Sequence, residues 1–311
     1  MGNKVSPSPD DLPPVEDSYE LLCKDGKRKI WCKQWKPNNI EKARCAIYIC
    51  HGLGEHCMVY DFIAKIWAQK YDALVMANDH MGHGRSEGQP RAYTDSLSTF
   101  VSDVHMHIEE AYQKLQKTPE ELPLFIFGHS MGGAISLLLA RENPKRITGG
   151  LMLMGPLIEY STYNLANLIK YHLTKTIGSI LPANMPASPL LYTDCVSEPE
   201  QAAEFNKDPL RYHGWIRFGI VRAMFKAVEE IRDMADKFDV PIFLGHGTAD
   251  KLCCPTAAQI FIDKAASKVK TLKIYQGGAH CLFHEFKSGI RNDLIRDLDE
   301  WLHDRMKATG S

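Results

Sequence analysis

The sequence predicts an α/β fold in which helices cover both faces of a mostly parallel sheet. First, short apolar runs alternate with helix-length segments along most of the chain. Second, the first two strand-like segments flank Asp25-Gly26, which is typical of an antiparallel hairpin. Third, 311 residues suffice for one large core, so we expect a single domain that contains an insertion.

Eight segments have the length and composition of β-strands. They cover residues 18–23, 29–35, 45–50, 73–77, 124–127, 151–154, 240–244 and 271–275. Segments of helical length separate most of them, and several end in the basic residues that helix C-termini favour. These predicted helices cover residues 60–69, 97–115, 131–142, 257–266 and 290–306. The alternation predicts parallel strands joined by helical crossovers.

The alternation stops between Pro156 and about Asp239, a gap too long for one crossover. We therefore predict that residues 156–239 form a cap over the strand ends, inserted in a domain that spans 18–311. Within it, apolar residues recur at helical spacing. They are Leu165, Leu168, Ile169, Leu173, Ile177, Ile180 and Leu181. Such a stripe either packs on the domain or forms an apolar lid that meets a membrane and admits acyl chains.

Composition argues against several kinds of partner. The 37 basic and 38 acidic residues give a net charge of −1, so no overall field attracts nucleic acid. The longest apolar run, residues 131–140, is far shorter than the roughly 20 residues of a bilayer span. Nine scattered cysteines, an odd number, predict reduced thiols and hence a cytoplasmic protein.

The N-terminal segment, residues 1–17, is polar and proline-rich, and we expect a flexible tail without a secretion signal. Its first residues, Met1-Gly2-Asn3-Lys4-Val5-Ser6, fit the pattern for myristoylation of Gly2. The alternative is a chance match on a tail. One myristoyl chain binds a bilayer weakly, so the pattern predicts peripheral and reversible membrane association.

A strand-like segment, a tight turn and a helix-like segment surround Ser130 in that order. The turn reads Gly128-His129-Ser130-Met131-Gly132-Gly133. A G-x-S-x-G sequence between a strand and a helix places the serine hydroxyl on a sharp turn at the sheet edge. The alternative is an ordinary serine at a helix N-cap. The order of elements favours a nucleophile, and with it the α/β-hydrolase fold.

A serine hydroxyl needs a general base, and that base needs an orienting carboxylate. In this fold the acid and then the histidine follow the serine, each in a loop after a strand. Asp250 and His280 meet that condition and are our predicted acid and base. His246 and His284 are the alternatives for the base. Asp239 precedes its strand, which places it at the wrong edge of the sheet.

The developing oxyanion needs two backbone N–H donors. We assign one to Met131, directly after the serine, and the other to Leu53, in the loop His51-Gly52-Leu53-Gly54-Glu55-His56. A competing interpretation is a metal site at His80-x-x-His83 beside Asp79, with the histidines of the Leu53 loop. No paired ligand spacing repeats, so the predicted chemistry uses no metal.

With these residues assigned, the chain resembles the monoacylglycerol lipases, a family of serine hydrolases. The resemblance covers about residues 21–306 and rests on three motifs in one order. They are the loop 51–56, the segment Asp79-His80-Met81-Gly82-His83-Gly84-Arg85-Ser86-Glu87-Gly88 and the turn 128–133. The resemblance implies hydrolysis of a lipid acyl ester, a monoacylglycerol, to a fatty acid and glycerol through an acyl-enzyme on Ser130, with no cofactor.

The chain departs from this family at two positions. Val59 stands where the family usually has an arginine before Tyr60, and Phe205 stands where it has a cap tyrosine. Both changes remove polar groups from the expected alcohol end of the site. Either Glu55, His129 and water recognise glycerol, with Phe205 beside them, or a different head group is preferred.

Two other functions compete with this interpretation. A lysophospholipase or a general carboxylesterase would use the same residues on a different ester. A non-catalytic scaffold or lipid-binding protein would keep the fold without the reaction, and it would have no need for Ser130, Asp250 and His280 together.

Overall fold

The computed structural model describes residues 15–161, 172, 176, 178 and 180–310. The predicted α/β-hydrolase fold is confirmed. The strands of the main sheet are Ser18–Leu22 (β1), Lys29–Trp35 (β2), Cys45–Cys50 (β3), Ala73–Asn78 (β4), Leu124–His129 (β5), Gly150–Met154 (β6), Ile242–Gly247 (β9) and Lys270–Tyr275 (β10). The helices that pack on it include Asp61–Lys70 (α1), Leu97–Leu115 (α2), Met131–Glu142 (α3), Pro255–Lys264 (α6) and Ile290–Thr309 (α7).

Within the described residues the sheet has the order β1-β2-β4-β3-β5-β6-β9-β10. The pairs β1–β2 and β2–β4 are antiparallel, and every later pair is parallel. The strands β3 and β5 are direct neighbours although they are separated in the chain. Ligands bind in open α/β sheets where such order changes bring two loops together at the carboxyl ends. The loops that carry Leu53 and Ser130 therefore meet at one edge.

Both faces of the sheet are covered, which explains why β3, β4, β5 and β6 are buried along their whole length. On one face, α2 and α3 contribute Phe100 and Ile135 to the core. On the other face, α1 and α7 contribute Trp67 and Leu298. Near-continuous apolar runs are what a doubly covered parallel sheet requires, so the sequence pattern and the burial have one cause.

The segment 156–239, the predicted cap, contains more regular structure than its sequence suggested. Its described part includes the helices Pro199–Lys207 (α4) and Phe218–Met234 (α5) and the short strands Pro186–Pro189 (β7) and Trp215–Arg217 (β8). The strands β7 and β8 pair with each other, apart from the main sheet. We keep the name cap for residues 156–239, whose role as a separate insertion stays a prediction.

Most of the predicted apolar stripe lies outside the described residues. This holds for Leu165, Leu168, Ile169, Leu173 and Ile177, and also for Gly2 of the myristoylation pattern. At the described end of the stripe, Ile180 is 82% exposed. None of the helices that the structure describes has both the length and the hydropathy of a membrane span.

Candidate active site

Ser130 sits in a strained turn between β5 and α3. Its backbone has φ 54° and ψ −121°, a region that costs a residue with a Cβ on the order of 1–3 kcal/mol. Neighbouring hydrogen bonds hold this conformation. The Ser130 N–H donates to the Met154 carbonyl at 3.2 Å, and its carbonyl accepts from the N–H groups of Gly133 at 2.9 Å and Leu157 at 3.0 Å. The side chain of Ser130 lines a cavity below the cap.

Gly132 is required by close packing behind this turn. A Cβ at this position would lie 2.0 Å from the Cys50 carbonyl oxygen and 2.6 Å from that of His51. The absence of a side chain therefore lets the first turn of α3 approach the end of β3. This approach brings the N-terminal end of α3, with its unpaired N–H groups, next to the loop that carries Leu53.

The loop after β3 is folded around the carboxylate of Glu55. The Gly52 N–H donates to Glu55 Oε2 at 2.8 Å, and the Glu55 N–H donates to the Gly52 carbonyl at 3.2 Å. Leu53, between them, lines the cavity. Within the described residues the Leu53 N–H has no acceptor, and Met131 begins α3, where N–H groups lack intrahelical partners. Both predicted oxyanion donors are thus available.

Asp250 and His280 are in direct contact. His280 Nδ1 lies 2.7 Å from Asp250 Oδ2, while Asp250 Oδ1 accepts from the N–H groups of Leu252 at 2.8 Å and Cys253 at 2.9 Å. With Nδ1 engaged, Nε2 of His280 is the atom that can accept a proton from a serine. His280 and Ser130 line the same cavity.

The Asp250 carboxylate is stabilised in its charged form. Burial alone would raise the pKa of Asp250, but the charge of His280 and hydrogen bonds from His246 and His280 hold it well below its usual range. An ionised acid beside Nδ1 fixes the histidine tautomer and stabilises the imidazolium that forms when Nε2 takes a proton.

The alternative bases lie elsewhere. His246 Nε2 is 3.1 Å from Asp250 Oδ2, but His246 is fully buried and does not line the cavity within the described part of the chain. His284 packs its ring edge-on against Phe205 at 4.6 Å between ring centroids. Asp239 is exposed ahead of β9. Geometry therefore favours His280 and Asp250 over the residues that sequence order left open.

A second buried cluster surrounds Glu55. Besides the Gly52 N–H, Glu55 Oε2 accepts from the Tyr60 hydroxyl at 2.7 Å and contacts His129 Nδ1 at 3.1 Å. Glu55 Oε1 lies 3.4 Å from a guanidinium nitrogen of Arg211. Burial would raise the pKa of Glu55, but the charges and hydrogen bonds of His129, Arg211 and Tyr60 hold it well below its usual value. The carboxylate is therefore ionised although it is enclosed.

Arg211 is the residue of this site that the sequence analysis missed. Its guanidinium is buried, stacks 3.8 Å from the Phe205 ring centroid and lies 3.7 Å from Asp208 Oδ2. Burial would lower the pKa of Arg211, but Glu55 above all raises it. The segment directly before it in the chain reads Asn206-Lys207-Asp208-Pro209-Leu210. Nothing in it indicated contact with Glu55, 156 residues away.

The structure changes the interpretation of the two departures from the family. Of the three expected substrate contacts, Glu55 and His129 line the cavity, whereas Phe205 is not among the described residues that do. Phe205 instead lies behind Arg211 as the surface on which its guanidinium stacks. Arg211 also places a positive charge beside Glu55, although Val59 carries none.

The cap is fixed to the loop 51–56 by further contacts. The Tyr212 N–H donates to the Gly54 carbonyl at 2.9 Å, and His56 Nε2 lies 2.8 Å from Asp208 Oδ2. A Cβ on Gly54 would lie 2.5 Å from Leu190 of the cap. The loop that presents Leu53 is thus fixed both by contacts with the cap and by the hydrogen bonds of its own Glu55 carboxylate.

A cavity of about 350 Å³ connects these parts. This volume is within the range of small-molecule sites. Its apolar lining residues include Leu157, Leu190, Ile216, Val221, Met224, Phe225 and Leu252. Its polar lining residues include Asp194 and the connected group of Glu55, His129 and Arg211. Ser130 and His280 share the cavity with both sets, a lining that can hold an ester with a long acyl group and a hydrophilic alcohol.

The competing metal site is not assembled. Both oxygens of Asp79 accept backbone N–H groups, from Cys57 at 2.8 Å and Arg85 at 2.7 Å. His51 Nε2 accepts the His80 N–H at 2.9 Å, and the rings of His80 and His83 both pack on Phe100. The segment 79–88 therefore forms a hydrogen-bonded loop under the site.

The chain is similar to known proteins in both sequence and fold. Residues 41–287 match the family model described as "Serine aminopeptidase, S33". The monoglyceride lipase of Rattus norvegicus is 33% identical over 96% of this chain and 94% of its own, and that of Homo sapiens is 33% identical with the same coverage. A soluble variant of monoglyceride lipase from Saccharomyces cerevisiae, solved in complex with a substrate analog, has a TM-score of 0.76 at 22% identity, covering 90% of this chain and 92% of its own.

We predict that Ser130→Ala lowers ester hydrolysis by at least about 10⁴-fold, because no other group can carry the acyl intermediate. The same variant should no longer react with a fluorophosphonate probe. Both are measured on protein whose circular dichroism and melting temperature match the parent. Ser98→Ala, an exposed serine in α2, is the control and should react normally. Labelling of Ser130→Ala at the parent rate would contradict the assignment.

We predict that Arg211→Met lowers the free energy of unfolding by about 3 kcal/mol, since it leaves the buried Glu55 carboxylate without its cation. Hydrolysis should also slow, because the loop around Glu55 carries Leu53. The double variant Glu55→Gln/Arg211→Met should recover part of the lost stability, as a urea titration of each protein will measure. Lys207→Met, which removes an exposed ion pair with Glu204, should change stability by less than about 1 kcal/mol. If the stability changes of Glu55→Gln and Arg211→Met simply add in the double variant, the coupling between the two residues is contradicted.

Proposed function

The chain belongs to the family of the monoglyceride lipases, and from that premise we propose that it hydrolyses monoacylglycerols to a fatty acid and glycerol. The chain is a carboxylic ester hydrolase with the α/β-hydrolase fold. The observation that carries the choice of substrate is the cavity at Ser130, whose lining combines many apolar residues with the connected polar residues Glu55, His129 and Arg211. A monoacylglycerol has the same division between its acyl chain and its glycerol.

The proposed reaction begins with attack of Ser130 Oγ on the ester carbonyl while His280 Nε2 takes the hydroxyl proton. Asp250 orients His280 and stabilises the imidazolium. Negative charge on the carbonyl oxygen is met by the N–H groups of Leu53 and Met131. His280 then returns the proton to the glycerol oxygen, which leaves, and a water activated by His280 releases the fatty acid from Ser130.

The glycerol end is recognised, in this proposal, by groups beside the saturated Glu55 carboxylate. Because Glu55 already accepts from Gly52 and Tyr60 and contacts His129 and Arg211, it has little capacity left for substrate hydroxyls. Arg211 has five N–H donors, and Glu55 is close to only one of its nitrogens. Glu55 then acts by positioning Arg211, whose other N–H groups are offered to the alcohol, while His129 is held between Glu55 and the His280 carbonyl.

The cap also offers a surface for peripheral membrane contact, through which an insoluble substrate would enter. Ile180, Met185, Leu191 and Trp215 are exposed apolar residues of the cap, and Leu191 also lines the cavity. Exposed apolar residues on the cap of a lipid site favour contact with a bilayer. Acylation of Gly2 would add a second weak anchor.

A hydrolysis panel tests the substrate. We expect kcat/KM for long-chain monoacylglycerols to exceed those for lysophospholipids, diacylglycerols and short-chain esters by at least tenfold. The physical reason is that only the first of these fills the apolar part of the cavity and ends in a small neutral alcohol. Faster turnover of lysophospholipids would identify a lysophospholipase, and a preference for short esters would identify a general carboxylesterase.

Vesicle flotation tests the membrane contact. Met185→Glu/Trp215→Glu should lower binding to phosphatidylcholine vesicles by severalfold and slow hydrolysis of vesicle-borne substrate, because each charge opposes entry into the interface. Turnover of a water-soluble ester should not change. Ile260→Glu, an equally exposed residue on α6 outside the cap, is the control. Equal binding of all three proteins would refute a cap-mediated contact.

A further inference from the structure

Two cysteines that the proposed reaction does not use lie on the wall of the active-site cavity. Cys195 belongs to the cap and follows the 3-10 turn Tyr192–Asp194. Cys281 directly follows His280. Both line the cavity, and their residues are 6% and 3% exposed. One thiol therefore belongs to the cap and the other to the loop of the general base.

The two residues are in direct contact although 86 positions separate them in the chain. The Cys281 N–H donates to the Cys195 carbonyl at 2.8 Å. Both side chains belong to one small apolar cluster with Tyr192 and Phe205. The two thiols also interact directly with each other. This contact and the backbone hydrogen bond place the two residues close together, as a disulfide requires.

The surroundings of the two thiols shift their pKa values in opposite directions. The Cys281 thiol lowers the pKa of Cys195, against the effect of burial and with help from His280. The interaction with Cys195, together with burial, raises the pKa of Cys281 well above its usual value. The thiolate is the reactive form of cysteine, so we place the first oxidation step at Cys195. Cys281 Sγ lies 4.0 Å from His129 Nε2, inside the same site.

We propose that Cys195 and Cys281 form a redox-modification site, in which a peroxide converts the two thiols to a disulfide that lowers hydrolytic activity. The effect on activity rests on the proposed role of His280 as general base. A disulfide here would tie the cap to the residue after that base.

The chemistry balances with one hydrogen peroxide. The Cys195 thiolate attacks a peroxide oxygen, the O–O bond breaks, and the products are a sulfenic acid and, after protonation, one water. The Cys281 sulfur then attacks the sulfenic sulfur and loses its proton, the S–S bond forms, and the hydroxyl leaves as a second water. Together the two thiols lose two electrons to the peroxide. A dithiol such as dithiothreitol reduces the disulfide again by thiol–disulfide exchange.

The disulfide would slow catalysis because it displaces groups that must stay in fixed positions for the reaction. The sulfurs of a disulfide are about 2.05 Å apart, closer than two thiols in contact, so the loop of His280 and the cap must be drawn together. A displacement of about 1 Å at reacting groups costs on the order of 100-fold in rate. We therefore expect kcat/KM to fall at least tenfold on oxidation.

The cross-link is identified by mass spectrometry after graded hydrogen peroxide treatment of the full chain. Cleavage after lysine and arginine gives peptides 176–207 and 274–287, and each contains one cysteine of the pair and no other. We expect these two peptides to be joined without reductant and separate with it. Activity is measured in parallel on a water-soluble short-chain ester, so the result does not depend on whether monoacylglycerol is the preferred substrate.

Variants connect the bond to the loss of activity. Cys195→Ala and Cys281→Ala, each compared with its own reduced activity and checked by thermal melting, should lose the rapid, dithiothreitol-reversible inhibition. Cys195→Ser is the second variant at that position if alanine fails to fold. Cys254→Ala removes a cysteine that is not among the described cavity residues and should respond to peroxide like the parent.

Three results would overturn the proposal. In the first, peptides 176–207 and 274–287 stay separate in protein that is oxidised and inhibited. In the second, the two peptides are joined but kcat/KM does not change. In the third, peroxide inhibits Cys195→Ala as it inhibits the parent. If the reduced protein hydrolyses no ester but still forms the cross-link on oxidation, the result counts against the proposed ester hydrolysis. The thiol chemistry itself would then still be supported.

Discussion

The buried Glu55 carboxylate is the interaction on which the site depends most. One side chain joins the loop after β3 through Gly52, the helix-preceding Tyr60, the nucleophile turn through His129 and the cap through Arg211. An unpaired charge at this depth would be strongly destabilising, so each partner is held by the need to compensate it. The same ion therefore fixes the loop 51–56 and the cavity-lining residues His129 and Arg211.

A second carboxylate, Asp250, plays a comparable part on the other side of Ser130. It is also ionised and buried, and it is surrounded by two histidines and two backbone N–H groups. The two anions differ in what their contacts allow. His280, bound to Asp250, keeps Nε2 for a proton, whereas His129 approaches Glu55 through Nδ1 and a backbone carbonyl through Nε2. One histidine is thus free for proton transfer and the other is held in place.

Much of the fold could be predicted because it depends on patterns formed by residues that are close together in the sequence. The predicted strands 45–50 and 124–127 and the predicted helices 97–115 and 131–142 lie within two residues of the observed elements. Doubly buried strands need continuous apolar runs, and a serine in a tight turn needs small neighbours such as Gly132. The cap was harder, since α4 and α5 lie in a segment whose helices do not alternate with strands of the main sheet.

The sequence by itself determined the α/β-hydrolase fold and the order of Ser130, Asp250 and His280, because each depends on residues close to one another in the chain. Only the tertiary structure decided that Arg211 neutralises Glu55, that Phe205 supports Arg211 behind the cavity wall, and that Cys195 touches Cys281. These are contacts between the cap and loops far away in sequence. They depend on where the cap settles on the sheet, which is set by packing over the whole surface and leaves no local pattern.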